Sequence, residues 1–394
     1  MQIAASQHRT GFRVDDPLAR RARRLRVLRY HGARDEDLPS LLRYGTPAWD
    51  VVGGLARQSS FPWPDESSAN AWGHYAKEAG REGVAATLTR IFVQLDFPVE
   101  VGMSARPAYR YAMRTGLRAA GPGLVFMQPD RLRLELHATA AGRIPVISTP
   151  CRADFIRLTQ ALTRHNEPRS IPDSMGACMI SGYTNWRRHH DLTDGMQKGA
   201  TEKDRFILLT EGNYSNVAGE ALGLDFARWR SISRTIRLEH EAAHYVTRRV
   251  FGSMRSCAHD EVLADFAGIV KATGAFLPQW ALRFLGLDDL GGLSPAARLR
   301  NYRGAPPLQD SALEVIARVA AAAITRIAQF DEDRHVVCRT LPREEAWIAT
   351  LAALASVSLE EMTQTLEPSA LMNALTIVAE QLLRASAYGG ARSP

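Results

Sequence analysis

The hydrophobic pattern of this chain changes its period near residue 220, and that change limits the folds that the chain can adopt. Beyond this point apolar residues recur at every third or fourth position, which is typical of helices that bury one face. Before it, short alternating or continuous apolar runs lie between turn residues, which indicates strands. The pattern predicts an α+β fold with a mixed α/β N-terminal half and a helical C-terminal half.

The predicted elements follow from these two patterns. Strands are expected at 123–128, 131–138, 143–149, 178–183 and 205–212. Helices are expected at 74–92, 107–119, 152–165, 225–250, 259–273, 277–285, 311–330, 343–356 and 368–385. Residues 1–60 are predicted to form a polar lead and a loop, and 59–73 and 184–204 to form polar connections.

Composition is that of a folded cytoplasmic protein. The 394 residues are 45% hydrophobic and 23% charged, enough for a sizeable core and for two domains, which we place at 1–200, of unknown role, and 201–394. No apolar signal segment opens the sequence, and Arg318 and Arg326 interrupt its longest apolar run. The four cysteines are widely spaced, so we expect reduced thiols, a cytoplasmic location and no membrane partner.

One dense basic segment, residues 19–29, contains six arginines in a chain whose net charge is +7. Such a segment could bind nucleic acid or an acidic partner. Leu25, Val27 and Leu28 are spaced to pack inward, and no aromatic residues alternate with the arginines. The pattern therefore favours a solvated helix face over a nucleic-acid site.

The helix predicted at 225–250 contains His240, Glu241 and His244 in the order H-E-x-x-H. Two histidines four residues apart project from one helix face, where both can reach one metal ion. Glu241 lies about 100° round the helix from His240. It would therefore stand beside the metal as a proton acceptor. The alternative is a helix whose polar residues pair with neighbours such as Arg248.

A third ligand is required, and the sequence offers two routes to it. A histidine after a helix-ending glycine is excluded, because Thr247 and Val250 occupy those positions. A glutamate on the next helix is available in Glu261, seventeen residues after His244, with Asp265 one turn further on.

In this arrangement Glu261 is the third ligand, and Asp265 accepts the distal N–H of a ligating histidine. A solvated carboxylate pair at a helix start is the alternative. His259 and Asp260 are rival ligands. His189 and His190 are expected to lie in a surface loop.

The sequence resembles the gluzincins, the thermolysin-like branch of the zincin metallopeptidases, in two consecutive motifs. They are His240-Glu241-Ala-Ala-His244 and Glu261-Val-Leu-Ala-Asp265. The likeness covers residues 237–268. It implies a zincin-like second domain that binds Zn²⁺, with Glu241 as general base. It also implies an antiparallel edge strand that pairs with an extended substrate, for which 205–214 is the candidate. The N-terminal 200 residues match no peptidase, and the segments 284–287 and 298–304 suggest similarity to an uncharacterised bacterial family.

The function that follows is zinc-dependent hydrolysis of a peptide or amide bond, in a peptide or an amide-containing small molecule. The developing oxyanion would need a donor besides the metal, and Tyr302, Arg303 and Tyr245 are the candidates. One alternative is a metalloenzyme on the same frame that tailors a peptide-derived or natural-product metabolite. Another is a non-catalytic, metal-stabilised binding protein. The sequence predicts neither the substrate nor the oligomeric state.

Overall fold

The computed structural model of the chain describes residues 16–57, 60–119, 121–193, 203–365 and 368–389. Its secondary structure is mixed, with many helices and one four-stranded sheet. The strands are β1 (Arg133–Thr139), β2 (Gly142–Thr149), β3 (Ala177–Tyr183) and β4 (Asp204–Thr210). The predicted α+β class is confirmed.

Helices surround this sheet and make up the rest of the regular structure. Before the sheet they are α1 (Pro17–Tyr30), α2 (Leu38–Tyr44), α3 (Val51–Ala56), α4 (Ala69–Glu82), α5 (Val84–Ile91) and α6 (Pro107–Thr115). Between strands lie α7 (Arg152–Thr163) and α8 (Trp186–Thr193). After it come α9 (Phe226–Val250), α10 (Ala258–Thr273), α11 (Pro278–Leu285), α12 (Asp310–Asp333), α13 (His335–Cys338), α14 (Arg343–Ser356), α15 (Leu359–Met362) and α16 (Ala370–Gly389).

The sheet has the strand order β1-β2-β4-β3, with β2 and β4 parallel and the other pairs antiparallel. The prediction that 205–214 contains the edge strand is therefore wrong, because β4 is an interior strand and β3 lies at the edge. The side chains of β4 explain this position. Ile207 and Leu209 face one core cluster and Phe206 and Leu208 face another, so the strand is buried on both sides.

Two other predicted elements differ from the structure. Residues 123–128 form no strand, because Met127 and Gln128 donate their N–H groups to the Asp154 carboxylate, at 2.7 and 2.9 Å. The single helix predicted at 74–92 is two helices, α4 and α5, separated by Gly83. This residue has a φ of +89°, a left-handed conformation that glycine adopts without strain.

The helices α1, α2 and α3 lie within residues 17–56, although residues 1–60 were expected to form a polar lead and a loop. Residues 1–15, 58 and 59 of that prediction lie outside the described residues. In α1, Leu28 is fully buried, as its spacing predicts. Two arginines of the basic segment pair with α15: Arg20 forms two hydrogen bonds with Glu361, at 2.6 and 2.7 Å, and Arg24 binds Glu360 at 2.8 Å. Part of this basic segment therefore fastens α1 to the C-terminal helices.

Helix α9 packs between the sheet and the C-terminal helices. Its side toward the sheet contacts β3 and β4, and α10 lies along its other side. One core cluster runs from Leu28 to Leu382 and includes Val146 and Ile207 of the sheet. The expected domain boundary at residues 200–201 lies between β3 and β4, so the sheet contains strands from both predicted domains.

Two further expectations concern membranes and thiols. Within the described parts of the chain, no helix combines the length and apolar character needed to cross a membrane. All four cysteines lie in those parts and each is free of a disulfide: Cys151, Cys178, Cys257 and Cys338. The expectation of unpaired thiols agrees with this finding.

Candidate metal centre

The predicted H-E-x-x-H motif lies in the buried C-terminal part of α9. The helix begins where the Asp225 carboxylate accepts the N–H of Arg228, at 2.9 Å, and it continues unbroken to Val250. His240, Glu241 and His244 are 5, 8 and 4% exposed. Polar groups buried to this degree require partners, which the surrounding elements supply.

Helix α10 brings Glu261 to the two histidines because α9 and α10 pack closely. Gly268 makes this approach possible, since a Cβ atom there would lie 2.7 Å from the Ile236 carbonyl oxygen. The rival ligands near the start of α10 have other partners. His259 Nε2 lies 2.8 Å from the Leu354 carbonyl, and Asp260 accepts the N–H of Arg255 at 2.6 Å.

The donor atoms of the three predicted ligands converge. Nε2 of His240 lies 3.2 Å from Nε2 of His244 and 3.4 Å from Oε2 of Glu261, and His244 Nε2 lies 3.5 Å from Glu261 Oε1. Four ligands placed tetrahedrally at ~2.0–2.1 Å from a metal are ~3.3–3.4 Å apart. The observed separations agree with such edges, and the three residues together could hold a metal ion.

Asp265 takes the position predicted for it. Its Oδ1 lies 3.0 Å from Nδ1 of His240 and accepts the hydroxyl of Tyr214 at 2.6 Å, while its Oδ2 pairs with Arg298. With Nδ1 as donor to this carboxylate, loss of one proton from the ring leaves the lone pair on Nε2, which faces the other two predicted ligands. Asp265 is fully buried, so these contacts replace its lost hydration.

The charges around the histidines act on metal binding in two opposite ways. Burial alone would raise the pKa of Glu261, but hydrogen bonds and charge from the two histidines hold it well below its usual range. Burial alone would lower the pKa of His240, but its hydrogen bonds to Asp265 and Glu261 raise it to about 9. A carboxylate that stays ionised is available as a ligand, whereas the proton on His240 competes with a metal.

One buried oxygen of Glu261 indicates that the protein groups alone do not complete the cluster. Among the described residues, Oε2 is buried and accepts no hydrogen bond of good geometry, and its charged neighbours are His240 Nε2 at 3.4 Å and Arg298 Nη2 at 3.9 Å. A charged oxygen without a close hydrogen bond is costly in the interior unless a cation satisfies it. A divalent metal between the two Nε2 atoms and this carboxylate would supply that partner.

Glu241 lies apart from the three ligands but lines the same cavity, whose volume is about 360 Å³. One of its oxygens, Oε2, accepts the backbone N–H of Met179 on β3 at 2.7 Å. The edge strand thus holds the carboxylate beside the cluster. This volume lies within the usual range for small-ligand sites.

The structure separates the three oxyanion-donor candidates. Tyr302 lines the cavity with Glu261, and both burial and that carboxylate raise the pKa of its hydroxyl. The Arg303 guanidinium is not brought to the cluster, because it binds the Leu308 carbonyl at 2.9 Å and the Asp310 carboxylate at 2.5 Å. Tyr245 is fully buried.

The adjacent histidines lie on α8, where a polar loop was expected. The ring of His189 packs edge-on against Trp186, with their centroids 5.6 Å apart. Residues 194–202 of the expected loop lie outside the described residues.

A model of a family of unknown function, DUF7005, matches residues 26–202 and 196–365. The chain belongs to this family. No curated protein and no solved structure gives a significant match. All the ligands and Glu241 lie within the part that the DUF7005 model matches.

Sequence patterns missed three contributors to this DUF7005 site. Tyr214 and Arg298 complete the network on Asp265, with the Arg298 guanidinium donating to the Tyr214 hydroxyl at 2.8 Å. Arg237, one turn before Glu241 on α9, lines the cavity. The segment 298–304 contains both Tyr302, which the sequence predicts as a candidate, and Arg298, which it does not. Nothing in the sequence distinguishes Tyr214 from an ordinary core tyrosine.

Proposed function

We propose that this chain is a zincin-like, zinc-dependent hydrolase that cleaves a peptide or amide bond. The observation that carries the proposal is the position of Glu241. It lies beside three converging ligands, outside the ligand set, and faces the same cavity. A site that bound metal only for stability would not require this additional buried carboxylate, whereas a hydrolase needs a proton acceptor there.

His240, His244 and Glu261 would hold the ion, and two imidazoles with one carboxylate are a usual set for catalytic zinc. When bound, zinc supplies a Lewis acid that polarises the substrate carbonyl and activates water for attack. Asp265 and Tyr214 fix the ring of His240 in one orientation and one tautomer. The cluster is therefore prepared before any substrate arrives.

The substrate main chain would lie along β3. This strand is paired with β4 on one side only, and its first residues, from Ala177 to Met179, line the cavity. An exposed strand edge can pair with an extended peptide through main-chain hydrogen bonds. The scissile amide would then lie next to Glu241, which already contacts the N–H of Met179.

Glu241 would act as the proton carrier. The bond from Met179 fixes Oε2, and Oε1 has no hydrogen bond to any described residue, so it is free to accept a proton from water in the cavity. The same carboxyl group could then deliver that proton to the departing amine. General acid–base transfer of this kind contributes about 10²–10⁴-fold to rate.

Tyr302 is the side chain best placed to donate a hydrogen bond to the oxyanion. Its raised pKa keeps the hydroxyl protonated at neutral pH, so it remains a donor. Its location depends on Tyr44, whose hydroxyl donates to the Tyr302 carbonyl at 2.7 Å and accepts the N–H of Ala258 at 2.7 Å. The loop is thereby tied to the start of α10, close to Glu261.

Metal analysis combined with hydrolysis of a mixed peptide library tests the proposal. We expect about one zinc per chain in the wild type and in Glu241→Gln, and loss of zinc in Glu261→Ala. Cleavage of peptides should be found only where both zinc and Glu241 are present. Glu239→Gln is the matched control, because Glu239 lies on the same helix and pairs with His137 at 3.1 Å.

Two results would contradict the proposal. One is a wild type that contains no metal after purification without chelators. The other is a Glu241→Gln variant that cleaves peptides as fast as Glu239→Gln does. A zinc-loaded wild type that cleaves no peptide would instead favour the binding or tailoring alternative.

A further inference from the structure

Arg237 is a buried cation without an anionic partner. It is 4% exposed, and its guanidinium donates to the carbonyls of Thr210, Gly212 and Asn213, at 2.9, 3.2 and 3.0 Å. In the described parts of the chain, no carboxylate oxygen lies within 4.0 Å of it. The Tyr214 ring, whose centroid lies 5.8 Å from the guanidinium carbon, is a further contact. Buried charges are normally paired with opposite charges, so an arginine held only by carbonyl dipoles and an aromatic ring needs another explanation.

The guanidinium lies in the wall of the cavity that contains the metal ligands. Nε–H and the second hydrogen on Nη2 have no acceptor among the described residues. Gly176 makes room for this group, since a Cβ atom at that position would lie 2.3 Å from Nε. The backbone of Gly176, the residue before β3, thus lies directly against the Nε side of the guanidinium.

The surroundings make this part of the wall electropositive. Arg152 lies behind the same segment, with Nη2 bound to the Pro172 carbonyl at 2.8 Å, and its charge acts on Arg237. The nearest carboxylates that act on these two cations are Asp173, which acts on Arg152, and Glu241, which acts on Arg237. Glu241 is itself held by Met179, so it does not neutralise Arg237 through a contact.

The distance from Arg237 to the reacting groups can be bounded from the helix. Arg237 and Glu241 are four residues apart on α9, so their Cβ atoms lie about 6 Å apart on one face. An extended peptide advances about 3.4 Å per residue. A spacing of about 6 Å corresponds to nearly two residues of such a peptide, so a group bound by Arg237 belongs to one of the two residues nearest the scissile amide.

We propose that Arg237 binds a substrate carboxylate located within two residues of the scissile bond. The substrate class is then an acidic peptide or an N-acylated amino acid. This inference rests on the proposed hydrolase function. The carboxylate could be the C-terminal group of a short substrate or the side chain of an Asp or Glu residue, and both would form the same charge-assisted, two-pronged contact.

Binding of three blocked dipeptides to the zinc-loaded protein tests the proposal by calorimetry. The probes are acetyl-Ala-Ala with a free carboxylate, the same peptide with a carboxamide, and acetyl-Ala-Asp with a carboxamide. We expect at least one acid to bind about tenfold or more tightly than the uncharged peptide. The acid that binds more tightly identifies the source of the carboxylate.

Arg237→Gln should reduce this preference to about twofold or less. Arg234→Gln is the matched control, because Arg234 lies one turn earlier on α9 and pairs with Glu135 at 3.1 Å. Arg237→Lys keeps the charge and should retain part of the preference. If Arg237→Gln does not fold, the comparison of acid and amide is repeated on the metal-free wild type. An acid preference that persists without zinc supports Arg237, and one that disappears with the zinc overturns the proposal.

The proposal is overturned if the wild type binds neither acid more tightly than the amide, including the case in which it binds none of the three. It is also overturned if folded, zinc-loaded Arg237→Gln keeps the full preference, since the metal would then hold the carboxylate. Mass spectrometry of the same samples distinguishes the two claims. Acid preference without cleavage of any peptide refutes the hydrolase alone, and cleavage without acid preference refutes the carboxylate site alone.

Discussion

Replacement of Asp265 by asparagine is the most informative test of how the ligand cluster is held together. The carboxylate is fully buried and receives three donors, from His240, Tyr214 and Arg298. An asparagine could still accept from His240 and Tyr214 through Oδ1. Its amino group would then face the Arg298 guanidinium, donor against donor, in a fully buried site.

Two separate losses follow from this arrangement. Partners that orient a ligating histidine are worth about 10–100-fold in metal affinity, so zinc binding should weaken by that factor. The metal-free protein should lose about 3 kcal/mol of unfolding free energy, because Arg298 loses its closest carboxylate and keeps only the Tyr214 hydroxyl at 2.8 Å and Glu261 at 3.9 Å. The first loss acts through His240, and the second acts through Arg298.

Zinc affinity is measured by competition with a chromophoric chelator, and stability by urea unfolding in the presence of a chelator. The double variant Asp265→Asn/Arg298→Met removes the unpaired charge. It should recover part of the unfolding free energy but none of the zinc affinity. An Asp265→Asn protein that binds zinc as tightly as the wild type would refute the assigned role of Asp265.

Two further predictions concern helix packing and the cavity. Gly268→Ala should destabilise the protein by about 1–3 kcal/mol in urea unfolding and weaken zinc binding, because the new methyl group pushes α10 away from α9. Gly73→Ala on α4 is its control and should be neutral or slightly stabilising, since nothing lies within 4 Å of the added atom. Tyr302→Phe should lower kcat by about 10²–10³-fold if its hydroxyl stabilises the oxyanion, as measured with a cleaved peptide. Arg303→Ala should leave kcat unchanged within about twofold, and a large loss there would contradict the assignment of Tyr302 over Arg303.

Local patterns were sufficient for most of the elements. The period of apolar residues predicted α9, α10 and α12 to within a few residues. It did not predict that α10 is buried on all sides from Ala258 to Val270.

The prediction of a strand at 123–128 was wrong. The Asp154 carboxylate on α7 accepts two main-chain N–H groups of this segment, and the segment's own composition cannot predict that contact. The prediction of a polar lead and a loop was wrong for the described part of residues 1–60. Arg20 and Arg24, which appear solvated in the sequence, pair with Glu361 and Glu360, more than 330 positions away.

The spacing of the site residues in the sequence determined the candidate ligands. Helix geometry alone puts His240 and His244 on one face, and Glu261 and Asp265 one turn apart on the next helix. Whether the two helices meet at those residues depends on Gly268, whose missing side chain allows the backbones to approach. The network through Tyr214 and Arg298 comes from separate segments, so no local pattern could predict it.

The sequence by itself thus determined which side chains can act together, because periodicity within a helix is a local property of the chain. The tertiary structure decided which strand lies at the edge of the sheet, since strand order depends on pairing between segments far apart in sequence. It also decided that Tyr302 faces the cavity while Arg303, its neighbour, pairs with Asp310. Tyr302 and Arg303 point in different directions because their contact partners come from other segments, which only the tertiary packing places next to them.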